Sequence, residues 1–520
     1  MLFVSPLFSD GCVIQRGACS KIWGKAVPHS IVLIDFIGAS YSSNTDEGGN
    51  WVINFNDLAP GGPHTMRIQS EGETLNICDV MIGDIWVCGG QSNMEFPMQD
   101  VRHMYPDIYN STKNSYIRQF IVEPWYAFKA PLENIKDGEW ASVTPETLPD
   151  FTAVGYFFAD YIYKQLHIPI GIISASVGGT PIHAWMGRDM LAGYADLLDE
   201  ADFLSDKSNI KHIQETEETA TRRHFDELDQ RDDGLKEMWF DASYDDSRWS
   251  SCMLCDPWDE DLREAGVIWF RKTIDIPDNI AGKPATVFFG AVNDADATYI
   301  NGVKIGESSH RFLRREYEIP ALPFGKCTIA VRVRNNYGIG GFTPNKPYHI
   351  SCGRAKSILL DGLWKYKRGV KFEQYIYPTQ FSYKATGLYN GMIKPLMGFN
   401  IKGVLWYQGE SDAAQAEGYG DKFTRLIQGW RDAWGIGCFP FLFAEISYWE
   451  EGANWDSLRQ EQKQALDLAE TAMIRTVDIG EYNDLHPLNK RDVGCRLAQA
   501  AMAISYGKPS NSPFILYGSD

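Results

Sequence analysis

Five short apolar runs, each followed by small or polar residues, constrain the fold of this chain more than any other feature of its sequence. The runs lie at 84–88, 170–174, 403–407, 441–444 and 472–476. Continuous apolar runs of this length are typical of strands that are buried on both faces of a parallel sheet. Segments with helical periodicity lie near 151–166, 419–434, 456–470 and 490–505. This alternation predicts a doubly wound α/β domain with about five parallel strands, which binds its ligands beyond the carboxyl ends of those strands.

The spacing between the second and third runs predicts an inserted domain. The second run ends at residue 174 and the third begins at residue 403, whereas a crossover between parallel strands usually takes a few tens of residues. Residues 233–362 contain further strand-like runs and the hairpin signal Asn301-Gly302, and residues 1–80 alternate in short runs between turns. We therefore expect four segments: an N-terminal β-sandwich (1–80), the first part of the α/β domain (81–232), an inserted β domain (233–362) and the second part of the α/β domain (363–520).

Charge and composition exclude several classes of function. The net charge of −19 argues against binding to a nucleic-acid backbone, because such binding requires a basic surface. No apolar run in the sequence reaches the roughly 18 residues of a membrane span, and Cys252 and Cys255 have no second pair or histidine at zinc-binding spacing. We expect no nucleic-acid partner, no membrane span, no metal and no cofactor. The first residues show no signal-peptide pattern, so a cytoplasmic protein and an exported protein with its leader removed both remain open.

Ser92 and His486 are the candidate nucleophile and base. Ser92 follows the first apolar run, where a hydroxyl is well placed to attack a carbonyl once a base removes its proton. His486 follows the last run, just before the final predicted helix, and histidine suits proton transfer at neutral pH. Asp484, two residues earlier, can accept the imidazole N–H and so fix the tautomer of the base. The sequence therefore predicts a nucleophilic serine site at the carboxyl edge of the sheet.

Donors for a tetrahedral oxyanion are also present at this edge. The backbone N–H of Ser92 is one candidate, and Gly179, after the second run, can bring a backbone N–H close because it has no Cβ. Gln408, after the third run, can point its amide inward or serve as a structural loop residue. Asn93 and Glu410 are expected to contact the catalytic residues and hold them in place, and Glu410 is an alternative acid partner for His486.

Five motifs surround the candidate site residues: Gly83-Asp84-Ile85-Trp86, Gly90-Gln91-Ser92-Asn93-Met94, Gly178-Gly179-Thr180-Pro181, Trp406-Tyr407-Gln408-Gly409-Glu410-Ser411 and Asp484-Leu485-His486-Pro487. They resemble motifs of the sialate O-acetylesterase family, whose members are carbohydrate esterases of the SGNH-hydrolase superfamily. The resemblance implies a flavodoxin-like (SGNH) catalytic domain, an N-terminal β-sandwich and an inserted galactose-binding-like jelly roll. It also implies that Ser92 is the nucleophile, His486 the base, Asp484 the orienting acid, and Gly179 with Gln408 the oxyanion donors. A periplasmic or secreted location would follow from it.

The resemblance implies an O-acetylated sugar or glycan as substrate, with sialic acid O-acetyl esters as the first choice. Asp412 stands where sialate-type relatives often have Asn and some acetylxylan-type relatives have Asp, so an esterase for acetylxylan or another plant glycan is the alternative. A non-catalytic glycan-binding protein is a third possibility. Tyr337 and Phe342, in a glycine-rich stretch of the inserted segment, are predicted to be exposed aromatic residues that contact glycan, with packing of this loop on its own β domain as the alternative.

Overall fold

A computed structural model describes residues 1–17, 19–256, 258, 260–336, 340–450, 452–510 and 512–518, with the backbone alone at 110, 111, 260 and 261. The chain divides into two compact units. The first comprises Met1–Asn209 and Gln380–Asp520, and the second comprises Ile210–Thr379. Within the described ranges no helix is both long enough and apolar enough to span a bilayer.

The strands and helices are numbered here in chain order. The strands are β1 (Phe3–Val4), β2 (Val13–Gln15), β3 (Ser20–Lys25), β4 (Ile31–Phe36), β5 (Ala39–Asn44), β6 (Asn50–Phe55), β7 (Gly61–Ser70), β8 (Glu73–Gly90), β9 (Asn114–Ile121), β10 (Trp140–Val143), β11 (Ile170–Ser176), β12 (Ser250–Met253), β13 (Gly266–Ile276), β14 (Ala285–Asn293), β15 (Ala295–Ile300), β16 (Val303–Ser308), β17 (Arg314–Ile319), β18 (Gly325–Asn335), β19 (Gly341–Phe342), β20 (Tyr348–Ser351), β21 (Ile358–Leu359), β22 (Leu363–Lys371), β23 (Gly403–Tyr407), β24 (Phe441–Ala444), β25 (Thr471–Ile474) and β26 (Ile515–Tyr517). The α-helices are α1 (Ser92–Glu95), α2 (Pro106–Ser111), α3 (Ala153–Leu166), α4 (Ala195–Ser205), α5 (Lys207–Arg231), α6 (Asp233–Lys236), α7 (Glu260–Arg263), α8 (Tyr419–Trp434), α9 (Trp455–Lys463) and α10 (Lys490–Tyr506).

A mostly parallel sheet forms the centre of the first unit. Its strand order is β10-β9-β11-β8-β23-β24-β25-β26, with parallel pairing from β9 through β25 and antiparallel strands at both edges. The five strands predicted from apolar runs are all present as β8, β11, β23, β24 and β25. Their carboxyl ends meet at one edge of the sheet, which brings the polar residues that follow them together.

Helices cover both faces of this sheet. Val404 and Trp406 of β23 belong to one apolar core, which includes residues of α8, and Leu405 and Tyr407 belong to the other, which includes residues of α3 and α10. This alternation follows from the strand geometry, in which successive side chains point to opposite faces. The result is a mixed α/β fold with several sheets, in which β23 is buried along its whole length.

The sequence prediction missed β9 because that strand carries charge into the interior. Arg118 is 1% exposed, and its guanidinium donates to the carbonyl oxygens of Gly11 (2.7 Å) and Asp79 (2.6 Å) and to the Asp79 carboxylate (2.9 Å). A buried arginine is tolerated when its donors find such partners. Because of Arg118 and the neighbouring Gln119, the segment lacks the continuous apolar run that marks the other central strands.

The N-terminal strands join the central sheet through β8. The first half of β8 pairs antiparallel with β7, from Ser70↔Glu73 to Gly61↔Ile82, and β2 pairs parallel with residues 81–83 of it. From Asp84 onward β8 pairs with β11. Residue 80, the predicted boundary of an N-terminal sandwich, therefore lies inside a continuous strand.

The second unit contains two antiparallel sheets, with orders β12-β22-β13-β18-β15-β16 and β17-β14-β20-β21, the latter extended by β19 at β14. Residues of both sheets form one apolar core, as Phe270 and Val331 from one sheet and Phe289 from the other show. The prediction that Phe342 is exposed is wrong: Phe342 is 5% exposed, and its ring lies 5.1 Å from that of Phe270. Tyr337 lies outside the described residues.

Candidate active site

The side chains of Ser92 and His486 meet at the carboxyl edge of the parallel sheet. Ser92 begins α1, two residues after the end of β8, and His486 lies in the loop between β25 and α10. Nε2 of His486 is 2.8 Å from Oγ of Ser92, which is hydrogen-bonding distance. A serine at this distance from an imidazole can lose its proton to it as it attacks an electrophilic carbon. The pair has the geometry of an activated nucleophile.

Asp484 stabilises the loop that carries His486. Its Oδ1 accepts a hydrogen bond from the backbone N–H of His486 at 2.8 Å, which is the side-chain-to-backbone pattern of an Asx turn. The loop is closed further by a β-bridge between Glu481 and Asp484. The structure therefore places Asp484 beside His486. Its predicted role as the acid that orients the imidazole stays a prediction.

Asn93 connects three elements behind the nucleophile. Its side-chain nitrogen donates to Oε1 of Glu410 and to the carbonyl oxygen of Leu485 (3.1 Å), and its side-chain oxygen accepts from Nζ of Lys490 (2.5 Å). An ammonium only donates and a carboxylate only accepts, so these partners fix the orientation of the Asn93 amide. Because Leu485 precedes the base and Asn93 follows the nucleophile, the amide ties the two catalytic loops together.

Lys490 and Glu410 place opposite charges on either side of this amide. Lys490 is 1% exposed, and its burial lowers the pKa of the ammonium to about 8, while the carboxylates of Glu410, Asp484 and Glu481 act in the opposite direction. Burial likewise raises the pKa of Glu410, and the hydrogen bond from Asn93 opposes that rise. The ring of Phe96 lies 4.8 Å from Nζ of Lys490. Burial disfavours both charges, whereas contacts with Asn93, the backbone N–H of Glu410 and the attraction between the two groups oppose that effect.

The turn after β11 contains Gly178 and Gly179 and lies close to Ser92. A Cβ at Gly178 would lie 3.5 Å from Cβ of Ser92, so this turn packs directly against the nucleophile. Gly179 has φ of +74°, and a Cβ there would lie 2.0 Å from the phenolic oxygen of Tyr383, so only glycine fits. Glu95 accepts the N–H of Gly178. Among the described residues, neither the N–H of Gly179 nor that of Ser92 has an acceptor.

Gln408 is fully buried with its amide engaged. Its Nε2 lies within hydrogen-bonding distance of the Thr180 carbonyl oxygen (3.1 Å) and of Asp412 Oδ2 (2.6 Å), and its Oε1 accepts from the Tyr419 hydroxyl at 2.8 Å. These contacts hold the turn after β11 against the loop after β23. The predicted oxyanion contact of Gln408 stays a prediction, since it requires the amide to exchange one of these partners.

Three residues of the site were not singled out in the sequence as site residues. Lys490 begins α10, and its segment carries no signal that distinguishes it from other lysines at helix starts. Tyr383 lies between β22 and β23. Asp412 was predicted only as a marker of substrate class. Burial raises the pKa of Asp412 to about 6, and its Oδ2 also accepts the N–H of Ile182 at 3.0 Å. Proximity to motif residues is the sequence signal that could have identified two of them. Asp412 lies two residues after Glu410, and Lys490 lies four residues after His486.

No group of three or more His, Cys, Asp or Glu side chains in the described part of the chain is arranged to hold a metal ion. The site as built consists of hydroxyl, imidazole, amide, carboxylate and ammonium groups.

Comparison with known proteins gives consistent results. Sialate O-acetylesterase of Homo sapiens is 30% identical over 208 residues, which cover 36% of this chain and 40% of that protein. Sialate O-acetylesterase of Rattus norvegicus is 22% identical over 531 residues, covering 94% of this chain and 70% of that protein. A carbohydrate acetylesterase from Xanthomonas citri has a similar fold, with a TM-score of 0.60 and 24% identity over 98% of this chain and 76% of its own.

The family match includes parts of both chain segments of the first unit. The family described as carbohydrate esterase, sialic acid-specific acetylesterase matches residues 82–216 and 369–503, which together exceed half of the chain. These ranges contain Ser92, Gly179, Gln408 and His486. The chain therefore belongs to the carbohydrate esterase family of sialic acid-specific acetylesterases.

Proposed function

We propose that the protein is a serine esterase that hydrolyses O-acetyl esters on a carbohydrate. The observation that carries this proposal is the 2.8 Å contact between Oγ of Ser92 and Nε2 of His486, at the sheet edge where α/β folds bind ligands. Membership of the carbohydrate esterase family supports it. The named activities of the human and rat relatives point in the same direction.

The reaction proceeds in two half-reactions, both of which use the groups described above. Oγ of Ser92 attacks the acetyl carbonyl carbon while Nε2 of His486 takes the hydroxyl proton. The tetrahedral oxyanion is stabilised by the N–H groups of Ser92 and Gly179. The bond to the sugar oxygen then breaks, and His486 returns the proton to that oxygen. Water attacks the acetyl-serine in the same way, which releases acetate and restores the hydroxyl of Ser92.

For the substrate we propose O-acetylated sialic acid first, and acetylated xylan or another plant glycan as the alternative. The human and rat relatives carry the name sialate O-acetylesterase, whereas the Xanthomonas citri protein is described only as a carbohydrate acetylesterase. Asp412, which distinguishes some relatives of the second type, is buried against the turn that follows β11. The chain therefore carries features of both substrate classes.

We further propose a domain assignment. The parallel sheet with its flanking helices is the SGNH-type catalytic domain, the strands before residue 80 are an N-terminal sandwich, and the second unit is an inserted jelly roll. Because β22 (Leu363–Lys371) pairs with β12 and β13, the insert runs at least to Lys371 rather than ending at residue 362. The antiparallel pairing throughout its two sheets supports this assignment.

Activity of purified protein on acetylated sialic acid, acetylated xylan and p-nitrophenyl acetate tests the proposal. Ser92→Ala and His486→Ala should each lose nearly all turnover, and an organophosphate reagent should label Ser92 alone. Ser176→Ala is a matched control: this buried serine ends the neighbouring strand β11, and its hydroxyl has no hydrogen-bond partner among the described residues. Retained turnover in Ser92→Ala, or labelling at a different serine, would overturn the assignment.

A further inference from the structure

Two exposed tyrosines lie in neighbouring loops at the carboxyl edge of the central sheet. Tyr448 (42% exposed) lies in the loop after β24, and Tyr482 (39% exposed) lies in the loop after β25. The two loops are in direct contact, because the N–H of Glu450 donates to the carbonyl oxygen of Tyr482 at 2.9 Å. A Cβ at Gly480 would lie 2.5 Å from the backbone nitrogen of Tyr448, which places the second loop against the first.

A cavity of about 240 Å³ opens beside Tyr448. It is lined by the aromatic residues Tyr448, Trp449 and Trp455, by Gly452, by the polar residues Asn454 and Ser457, and by the charged residues Glu450, Asp456 and Arg459. The back of the cavity is rigid. Trp455 is buried, donates its indole N–H to the carbonyl oxygen of Ser447 at 2.6 Å, and packs against Trp449 with ring centroids 5.5 Å apart. The cavity therefore combines aromatic residues, of which Trp455 is held in place, with polar and charged residues.

The second loop also carries the catalytic base. Tyr482 precedes His486 by four residues, so their Cα atoms are at most about 14 Å apart even in a fully extended chain. The bridge between Glu481 and Asp484 folds the loop back on itself, which shortens that distance. Tyr482 and the nucleophile–base pair therefore lie on one edge of the sheet, at a separation that a short oligosaccharide can span.

This combination of groups suits sugar rings. A pyranose has apolar C–H faces, which pack on flat aromatic rings, and peripheral hydroxyl groups, which need hydrogen-bond partners. Tyrosine and tryptophan offer an apolar face with a polar tip, and concave sites of this kind use a few polar groups to fix ligand orientation. The mechanism above uses neither Tyr448 nor Tyr482. Their exposure on an edge devoted to ligand binding is otherwise unexplained.

We propose that Tyr448, Tyr482 and the adjoining cavity form a subsite for sugar units next to the acetylated residue, so that the enzyme prefers acetylated oligosaccharides to acetylated monosaccharides. This inference rests on the proposed esterase function and adds the form of its substrate. The site recognises the sugar chain and not the acetyl group. Binding energy from these remote units positions the ester at Ser92, which raises kcat/KM for longer substrates.

The test compares Tyr448→Ala, Tyr482→Ala and the double variant in the full-length protein. Kinetics are measured on p-nitrophenyl acetate, on an O-acetylated monosaccharide and on O-acetylated oligosaccharides of increasing length. Each single variant should lower kcat/KM on oligosaccharides by about 3- to 10-fold, with p-nitrophenyl acetate unchanged. Tyr448→Phe and Tyr482→Phe keep the ring and should restore most of the loss. Tyr517→Ala is the matched control, since Tyr517 is equally exposed (40%) but pairs with Ala472, near the amino end of β25.

Binding of deacetylated oligosaccharide to the Ser92→Ala variant, measured by calorimetry, gives a readout independent of turnover. Binding that weakens in the double variant supports the subsite. Equal losses on all substrates, unchanged kinetics at every length, or a preference of the wild type for monosaccharides would overturn it. A wild type that hydrolyses p-nitrophenyl acetate but no acetylated sugar of any length would overturn the proposed function itself, which is a distinct result.

Discussion

The buried ammonium of Lys490 donates a hydrogen bond to the side-chain oxygen of Asn93, the residue that follows the nucleophile. Replacement of Lys490 by Met removes this donor and leaves a buried amide oxygen without it. Because Asn93 also holds the carbonyl oxygen of Leu485, the alignment of Ser92 with His486 should loosen. We expect kcat to fall about 10- to 100-fold with little change in KM. Steady-state kinetics test this, with Lys164→Met, on the exposed side of α3, as the control.

The same variant should change how stability depends on pH. The pKa of Lys490 is lowered to about 8 in the folded protein from an ordinary value of 10.5. Between these two values the unfolded chain binds more protons at this position, so the contribution of Lys490 to stability increases as the pH rises through this window and is smallest below about 8. The melting temperature of the wild type minus that of Lys490→Met should therefore increase from pH 7 to pH 10. A constant difference would contradict the burial of this charge.

Asp484 and Glu410 can be separated by paired substitutions. If Asp484 orients the imidazole, Asp484→Asn should lower kcat on the order of 10⁴-fold with the fold retained, and Glu410→Gln should cost much less. The two variants are matched, since each replaces a carboxylate by the amide of equal size. Kinetics and melting curves of both variants, measured together, show which carboxylate is the acid partner of His486. The reverse ranking would make Glu410 the acid partner of His486 and leave Asp484 with its turn-forming bond to the backbone.

Gln408→Ala tests the proposed oxyanion contact against the structural contacts that are seen. An oxyanion donor acts on charge that develops in the transition state, so its loss should lower kcat by about 10²- to 10³-fold with KM nearly unchanged. Loss of the contacts to Thr180 and Tyr419 should also lower the melting temperature. Tyr419→Phe removes one of these structural contacts and leaves the amide in place. If it reproduces the whole kinetic effect, Gln408 serves as a support for the turn and not as a donor.

Asp412→Asn should stabilise the protein at neutral pH. Burial raises the pKa of Asp412 to about 6 from 3.8, so the folded protein binds the extra proton and this contribution to stability falls as the pH rises from about 4 to about 6. Above that range the wild type keeps a buried carboxylate, whereas the amide carries no charge. The variant should therefore melt higher than wild type at pH 7.5, and this advantage should shrink or reverse at pH 4.5. An equal difference at both pH values would contradict the prediction.

Sequence patterns predicted the parts of this fold that depend on strand polarity. Ser92 and His486 could be paired because both follow buried parallel strands, whose carboxyl ends share one edge of a sheet. The strand that contains Arg118 could not be predicted in this way, since the donors of its buried guanidinium find carbonyl oxygens distant in sequence. The burial of Lys490 depends on residues from two other loops and was equally inaccessible to local patterns.

Aromatic residues show most clearly what local sequence patterns cannot predict. The glycine-rich stretch before Phe342 suggested an exposed loop, yet the ring of Phe342 packs into the core between the two sheets of the second unit. The exposure of Tyr448 and Tyr482 could not be predicted, because nothing in their own segments distinguishes them from core residues. Whether an aromatic side chain faces the core or solvent is decided by long-range packing, and local composition carries little information about it.

Strand β8 gives the nucleophile a mechanical link to the N-terminal strands. Ser92 follows the end of an 18-residue strand whose first half is held by β7 and whose second half is held by β11 and β23. A one-residue slip in either half would turn every side chain of the strand to the opposite face, so each half holds the other in register. Removal of residues 1–72 would therefore disturb the position of Ser92 and reduce catalysis, although none of these residues belongs to the catalytic pair. Hydrogen exchange should show the amides of β7 and of the second half of β8 opening in one cooperative event.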